Sequence, residues 1–349
     1  MGKNNSGNEM GKIKAGAIRI GIIGTGRIAA SFVESADRMA GLVPTAVFNV
    51  RRSSAEKFAE EHGISKYTDD LCTFMNDVDA VYIASPHETH GDYARIALEY
   101  GKHVLCEKPM SLNREEAEKL CYLADQKDLI LMEAIKTGFC DGFLRMMDEA
   151  EKGVVGEIHD IEASFTKVTG LDTRERTDKK YGGCFLELGS YNLLPIFRLY
   201  GTDYKEVKFQ SVYAENGLDI YTKVFFDFGE GKYASAKCCF DVNTEGQIII
   251  SGDKGYILGE APWWHTDHYK VHKGNSEVID SNTFLYEGNG LQYEGVAFAL
   301  RIRGEEKHNR KRDEREIIAR AAVMEQFIRD NRSKRRRNSG KTLKPVEVD

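Results

Sequence analysis

Short apolar runs alternate with helically spaced segments from Ala17 to Glu133. Ile18–Ile23, Leu42–Phe48, Ala80–Ala84, His103–Cys106 and Ile130–Met132 read as strands. These runs are nearly continuous in apolar character, as expected for strands covered on both faces. Between them, Ile28–Met39, Ser53–His62, Tyr93–Tyr100 and Arg114–Asp125 carry helical spacing. Asn113, with Glu116 three residues on, opens the last of these as a capping box does. Strands alternating with helices in this way predict a doubly wound parallel sheet.

The texture changes after Lys136. A helix is expected over Phe139–Lys152, stopped by Gly153, and a second over Glu187–Tyr200. Ile158–Phe165, Lys208–Tyr213, Tyr221–Phe228, Tyr233–Phe240 and Gln247–Ser251 alternate in polarity. Turn signals such as Gly252-Asp-Lys-Gly255 separate these runs. This pattern predicts a large, mainly antiparallel sheet in an α+β domain, followed by a helix over Asp313–Asp330. The expected division is therefore a lead over 1–16, a first domain over 17–137 and a second over 138–349.

A chain of 349 residues suits two cores. No apolar run reaches the roughly 18–20 residues of a membrane span. The Gly-, Asn- and Lys-rich start lacks the apolar stretch of a secretory signal. The seven cysteines form no CxxC pair, which argues against a disulfide framework or a zinc site. A cytoplasmic protein is expected. The net charge of −6 speaks against nucleic acid as a partner. The one basic run, Lys334 to Arg337, reads as a solvated tail.

Gly24-Thr25-Gly26-Arg27-Ile28-Ala29 directly follows a predicted strand and opens a helix. Its glycines allow a tight turn and close approach to a pyrophosphate, whose charge the N–H groups of the helix start can hold. A tight β-to-α turn without a ligand is the plainer alternative. A site for NAD usually carries an acid about 20 residues further on. Here Asn49 stands in that place, followed by Arg51 and Arg52. Arginines can neutralise a 2′-phosphate, so NADP is expected in preference to NAD unless both are plain surface charges.

Four features together carry a family resemblance: Gly24-x-Gly26, Ser85-Pro86-x-x-x-His90, Glu107-Lys108-Pro109, and Gly182-Gly183 followed by Glu187-x-Gly189-x-Tyr191. The chain resembles the glucose–fructose oxidoreductase, inositol dehydrogenase and MocA-like (Gfo/Idh/MocA) family, from its first strand into its last helix. The resemblance implies a Rossmann domain in front and places Lys108 at the nicotinamide and substrate. It implies cofactor contacts from Ser85, Pro86, His90 and Glu107. The family pattern carries Asp and His where Glu187 and Tyr191 stand. The dihydrodiol dehydrogenase-like subgroup, which this chain is similar to, has Tyr at the second position. Lys136 and Gly138 depart from the aromatic and Arg residues usual there. Trp263-Trp264-His265 either lines a pocket or packs on the sheet.

The residues support the same reading of Lys108. It follows a buried parallel strand, and ligands sit outside the carboxyl ends of such strands. Burial there is expected to lower its pKa. Glu187 and Tyr191 are four apart and share one helix face, although a core tyrosine and a first-turn glutamate would show the same spacing. The expected activity is hydride transfer between nicotinamide and a CH–OH carbon of a sugar, polyol or diol. Tyr191 would act as base, activated by Lys108, with Glu187 holding Lys108 or a substrate hydroxyl, and no metal is needed. The alternatives are a dinucleotide-binding sensor without turnover, or an enzyme using bound nicotinamide as an internal redox relay. The rear sheet suggests a homodimer or a dimer of dimers.

Overall fold

The computed structural model describes residues 16–338 except Ala40, with side chains as far as Asn331. The expected lead before Gly16 and the side chains of the basic run at 334–337 lie outside the described residues.

The first sheet contains β1 (Ile18–Ile23), β2 (Leu42–Phe48), β3 (Lys66–Thr68), β4 (Ala80–Ile83), β5 (His103–Glu107) and β6 (Leu131–Ala134). All its pairings are parallel, in the order β3-β2-β1-β4-β5-β6. Helices α1 (Arg27–Glu34), α2 (Arg52–His62), α3 (Leu71–Asn76), α4 (His90–Glu99) and α5 (Arg114–Gln126) connect the strands. The continuous apolar runs are buried on both faces; Ile20, Ile22, Val81 and Ile83 are inaccessible to solvent. The first helix is shorter than its spacing suggested. It stops at Glu34, and a 3-10 turn over Ala36–Arg38 replaces its last part.

After α6 (Asp141–Glu151) comes β7 (Ile158–Thr166), then the one-turn α7 (Arg174–Thr177) and α8 (Cys184–Tyr200). The second sheet adds β8 (Glu206–Tyr213), β9 (Asp219–Gly229), β10 (Lys232–Cys239), β11 (Ile248–Gly252), β12 (Gly255–Gly259), β13 (His268–Lys273) and β14 (Glu277–Thr283). Its order is β14-β13-β12-β11-β7-β10-β9-β8. Every pairing is antiparallel except β7 with β10. One face packs on α6 and α8 through Phe143, Phe185, Phe197 and Phe226.

Two helices follow β14, α9 (Leu291–Ile302) and α10 (Arg310–Asn338). Although they follow the second sheet in sequence, they return to the first. Leu291 and Phe298 join the core on one of its faces, and Ile317 and Ala321 join the other. Phe327, further along α10, packs on α8. A fully buried Phe contributes about 1.5–3 kcal/mol, so this return is a substantial part of the first core.

The start of α8 explains one of the glycine pairs. Asp219 is buried, and its Oδ2 accepts the Phe185 N–H at 2.9 Å, the Cys184 thiol at 3.1 Å and the Thr222 hydroxyl at 3.0 Å. Gly183 has φ +114°, and a Cβ there would lie 2.0 Å from Asp219 Oδ1. Only glycine lets this carboxylate reach the free N–H groups at the helix start.

Candidate active site

Gly24 turns the chain out of β1 with φ +104°, and a Cβ there would meet the Ala84 carbonyl oxygen at 2.5 Å. Gly26 is the N-cap of α1. No side chain caps this helix, and a Cβ on Gly26 would enter open space. The helix start therefore presents uncapped N–H groups to open space, which suits a pyrophosphate. Asn49 braces the cradle: its amide donates to Thr25 Oγ1 at 2.9 Å, and its Oδ1 accepts the Arg51 N–H at 2.9 Å.

The arginines that follow are not equivalent. Arg52 lies 3.5 Å from Asp69 and over the Tyr67 ring. The Arg51 guanidinium has no ion pair among the described residues, which makes it the better placed of the two to meet a 2′-phosphate. Arg27 is largely exposed and reaches Glu175 at 3.9 Å. Ile28 is also exposed at the helix start.

The loop after β4 is knitted together. Ser85 and Thr89 share a hydroxyl hydrogen bond of 2.7 Å, and Pro86 precedes the turn over His87–Thr89. His90 differs from expectation. It is fully buried, and its ring nitrogens lie 2.9 Å from the Pro109 carbonyl and 2.8 Å from that of Ser85. Both edges are taken by backbone, so His90 joins two cleft loops instead of reaching a ribose. Glu107 likewise faces inward, accepting the Tyr82 hydroxyl at 2.6 Å and the Lys108 N–H at 3.2 Å.

Lys108 leaves the end of β5, and the bond to Pro109 is cis. Its Nζ donates to Glu187 Oε1 at 2.8 Å and to the Glu187 carbonyl at 2.9 Å. It stands 5.6 Å from the centre of the Tyr191 ring. Strand end and helix thus meet across the cleft, and Glu187 contacts Lys108. The expected sign of the lysine shift is corrected. Burial alone would push its pKa down, but Glu187 and Glu107 outweigh burial and hold it above the ordinary value. The expected activation of Tyr191 is corrected too. Burial, then Glu107, Glu294 and Glu187, raise its pKa well above the usual phenol, so it stays a neutral hydrogen-bond donor.

Aromatic rings continue from Tyr191 into the second domain. Phe165 stacks on Trp264 at 3.8 Å and meets Tyr191 edge-on, while His265 stacks on Tyr286 at 4.5 Å. Trp263 is buried in the core of the second domain and Trp264 packs against that core, while His265 stacks on Tyr286. Lys136 donates to the Asn289 carbonyl, and burial lowers its pKa.

Two further residues escaped the sequence reading. Glu294, from α9, is fully buried, and neither carboxyl oxygen has a hydrogen-bond partner among the described residues. Burial and then Glu107 push its pKa well above the usual range. His87 faces Glu187. It lay inside the Ser85-to-His90 segment, but nothing in the spacing set it apart from His90. No group of three or more metal-ligating side chains occurs among the described residues.

Residues 18–135 match the NAD-binding Rossmann fold of the Gfo/Idh/MocA oxidoreductase family, and residues 143–258 match a C-terminal domain of the same family. The chain belongs to the Gfo/Idh/MocA family. Among curated members of this family, it is 32% identical over 212 residues to the scyllo-inositol 2-dehydrogenase (NADP(+)) IolU of Bacillus subtilis. That match covers 58% of this chain and 64% of IolU. It is 29% identical to the trans-1,2-dihydrobenzene-1,2-diol dehydrogenase of Bos taurus, over 80% of this chain and 86% of that enzyme. The fold matches the solved structure of the 3-ketoreductase KijD10 of Actinomadura kijaniata with NADP and TDP-benzene. There the TM-score is 0.74 and the identity 23%, over 90% of this chain and 98% of that one.

Proposed function

We propose that this Gfo/Idh/MocA oxidoreductase moves a hydride between NADP and a carbon bearing an alcohol or hemiacetal hydroxyl of a sugar, polyol or diol. One observation carries the reading: Lys108 from β5 and the Glu187–Tyr191 pair from α8 converge beside an uncapped phosphate cradle. The nicotinamide, when bound, supplies or takes the hydride. This chain's residues handle the proton and fix the oxygen. Lys108, held charged by Glu187, gives a proton to the carbonyl oxygen during reduction and must pass one to a carboxylate before it can take one during oxidation. Tyr191 donates a hydrogen bond that orients the same oxygen. NADP is favoured by the free Arg51 and the lack of an acid at Asn49, and the curated relative IolU carries NADP in its name.

The test follows absorbance of the reduced nicotinamide with scyllo-inositol and related polyols, and compares NADP with NAD in binding. Net reduction of NADP and tighter NADP binding are expected. Lys108→Met should lower kcat by about a hundredfold or more while leaving NADP affinity intact, as loss of a proton-handling group does. Product without net reduction would point to an internal redox relay, and binding without turnover to a sensor.

We further propose a homodimer or dimer of dimers in the cytoplasm, acting on small molecules. No helix among the described residues is long and apolar enough to cross a membrane. The open face of the second sheet exposes Val212, Phe225 and Tyr233 on adjacent strands. A second copy would cover such a face. Light scattering at micromolar concentration should show at least a dimer, and a monomer would refute it.

A further inference from the structure

Glu187 is one methylene longer than the aspartate of the family pattern, and its carboxylate is approached from two sides. Lys108 takes Oε1 at 2.8 Å. His87, from the loop after β4, brings Nε2 to 3.5 Å from Oε2. The two side chains are only 16% and 24% exposed, so the contact sits within the cleft wall. His87 Nδ1 is buried without a hydrogen-bond partner. A stranded buried N–H is rarer and costlier than a stranded lone pair. The tautomer with its proton on Nε2, directed at Glu187, is therefore favoured.

The groups around His87 come from every side. His90 lies on α4, Lys108 follows β5, Arg174 opens α7 and Asp178 follows it, and Glu187 lies on α8. Burial, then His90, Lys108 and Arg174, hold the imidazole well below its usual pKa, against a smaller pull from Asp178. It is thus neutral and does not hold a second proton, so a proton that reaches one ring nitrogen leaves from the other. A cavity of about 40 Å³, lined among others by His87, Arg174, Asp178, Tyr181 and Glu187, adjoins the pair. That volume accommodates a water molecule.

We propose that His87 is the positioning residue for Glu187, and that the two form an imidazole–carboxylate pair that resupplies Lys108 with its proton. The inference rests on the hydride-transfer reading above. The family pattern places an acid and a histidine on one helix. In this chain Tyr191 occupies the histidine position, and His87 restores the pair from the opposite domain. During reduction a Lys108 N–H bond breaks as the substrate O–H bond forms. A proton from bulk solvent, relayed by a water in the cavity, then reaches His87 Nδ1 as the Nε2 proton passes to Glu187 Oε2, and exchange of both ring protons with solvent afterwards restores the Nε2–H tautomer. The carboxyl turns and gives that proton to the Lys108 amine. The net change is one proton moved from solvent to the substrate oxygen, and oxidation runs the same path outward.

The first test needs no substrate. In ¹⁵N-histidine NMR of the full-length ligand-free protein, His87 is assigned by its loss in His87→Asn. It should be neutral at pH 7 with the proton on Nε2, and Glu187→Gln should move the Nε2 resonance. A proton on Nδ1, or no response to Glu187→Gln, would overturn the proposal. The second test follows oxidation of scyllo-inositol by NADP. Asparagine can keep the polar contact but cannot carry the proton. His87→Asn should therefore lower kcat about tenfold with KM unchanged, and raise the solvent deuterium isotope effect. Unchanged kcat and isotope effect would also overturn it. If no sugar, polyol or diol is turned over, or if Lys108→Met is fully active, the function reading fails on its own and the NMR result still decides the pairing.

Discussion

A carboxyl group buried without a partner keeps its proton, and Glu294 is such a group. Its folded pKa lies above the ordinary 4.5. Its contribution to stability is therefore complete below about pH 4.5 and is lost as pH rises through the folded pKa. The loss runs at about 1.4 kcal/mol per pH unit across that window. Glu294→Gln removes the titration, so urea unfolding at pH 5 and pH 8 should show a smaller fall in stability for the variant than for the parent. Equal falls would mean that the carboxyl is ionised. Glu294 was not legible in the sequence, because its environment is built by Glu107 and Tyr191 from distant segments. The sign of the Lys108 shift was missed for the same reason. Burial could be inferred from the strand before it, but Glu187, which together with Glu107 outweighs burial, lies 79 positions away. Lys108, Glu187 and Tyr191 were legible as a group because their motifs are local.

Elements were read well where hydrophobic period and length were both clear. β1, β2, β4 and β5 fall within a residue of their apolar runs, and α2 and α5 are equally close. β3 is three residues, Lys-Tyr-Thr, with no apolar pattern of its own. β14 is exposed at nearly every position, so no alternation marks it. α9 starts after a left-handed Gly290 with no side-chain cap, and it is buried on several sides, which erases the amphipathic stripe. The glycines before α8 were recognised as a motif, but their cause needed Asp219. Gly183→Ala should destabilise the protein, by about 1–3 kcal/mol for the backbone conformation alone, with the clash against Asp219 added. Thermal unfolding checks this, and an unchanged Tm would mean that Asp219 can move aside.

The two sheets of the whole molecule are joined by a buried chain of charges. Arg320 on α10 binds Glu133 at 2.6 Å and Glu316 at 3.4 Å, and Glu316 takes Arg198 of α8 at 2.7 Å. Glu133 also accepts the Met110 N–H at 2.9 Å, just past the Lys108–Pro109 bond. Removing one member strands the others, which typically costs 3–5 kcal/mol. Arg320→Met should lower denaturant stability by about that amount, and a loss below about 1 kcal/mol would show that water or rearrangement replaces the arginine. This network also bears on catalysis, because it spans the loop that carries Lys108 and the helix that carries Glu187.

The return of α9 and α10 to the first sheet sets an order on the birth of the molecule. Most multidomain chains finish their leading domain while the rest is still being made. Here the strands that carry the nucleotide cradle emerge first, yet Leu291, Phe298, Ile317 and Ala321, which complete their two apolar faces, leave the ribosome only after the whole second sheet. Until then the leading half waits with uncovered surface. The nascent chain is thus exposed to misassociation while the whole second sheet is made, and the cleft takes its final shape only after α9 and α10 have emerged.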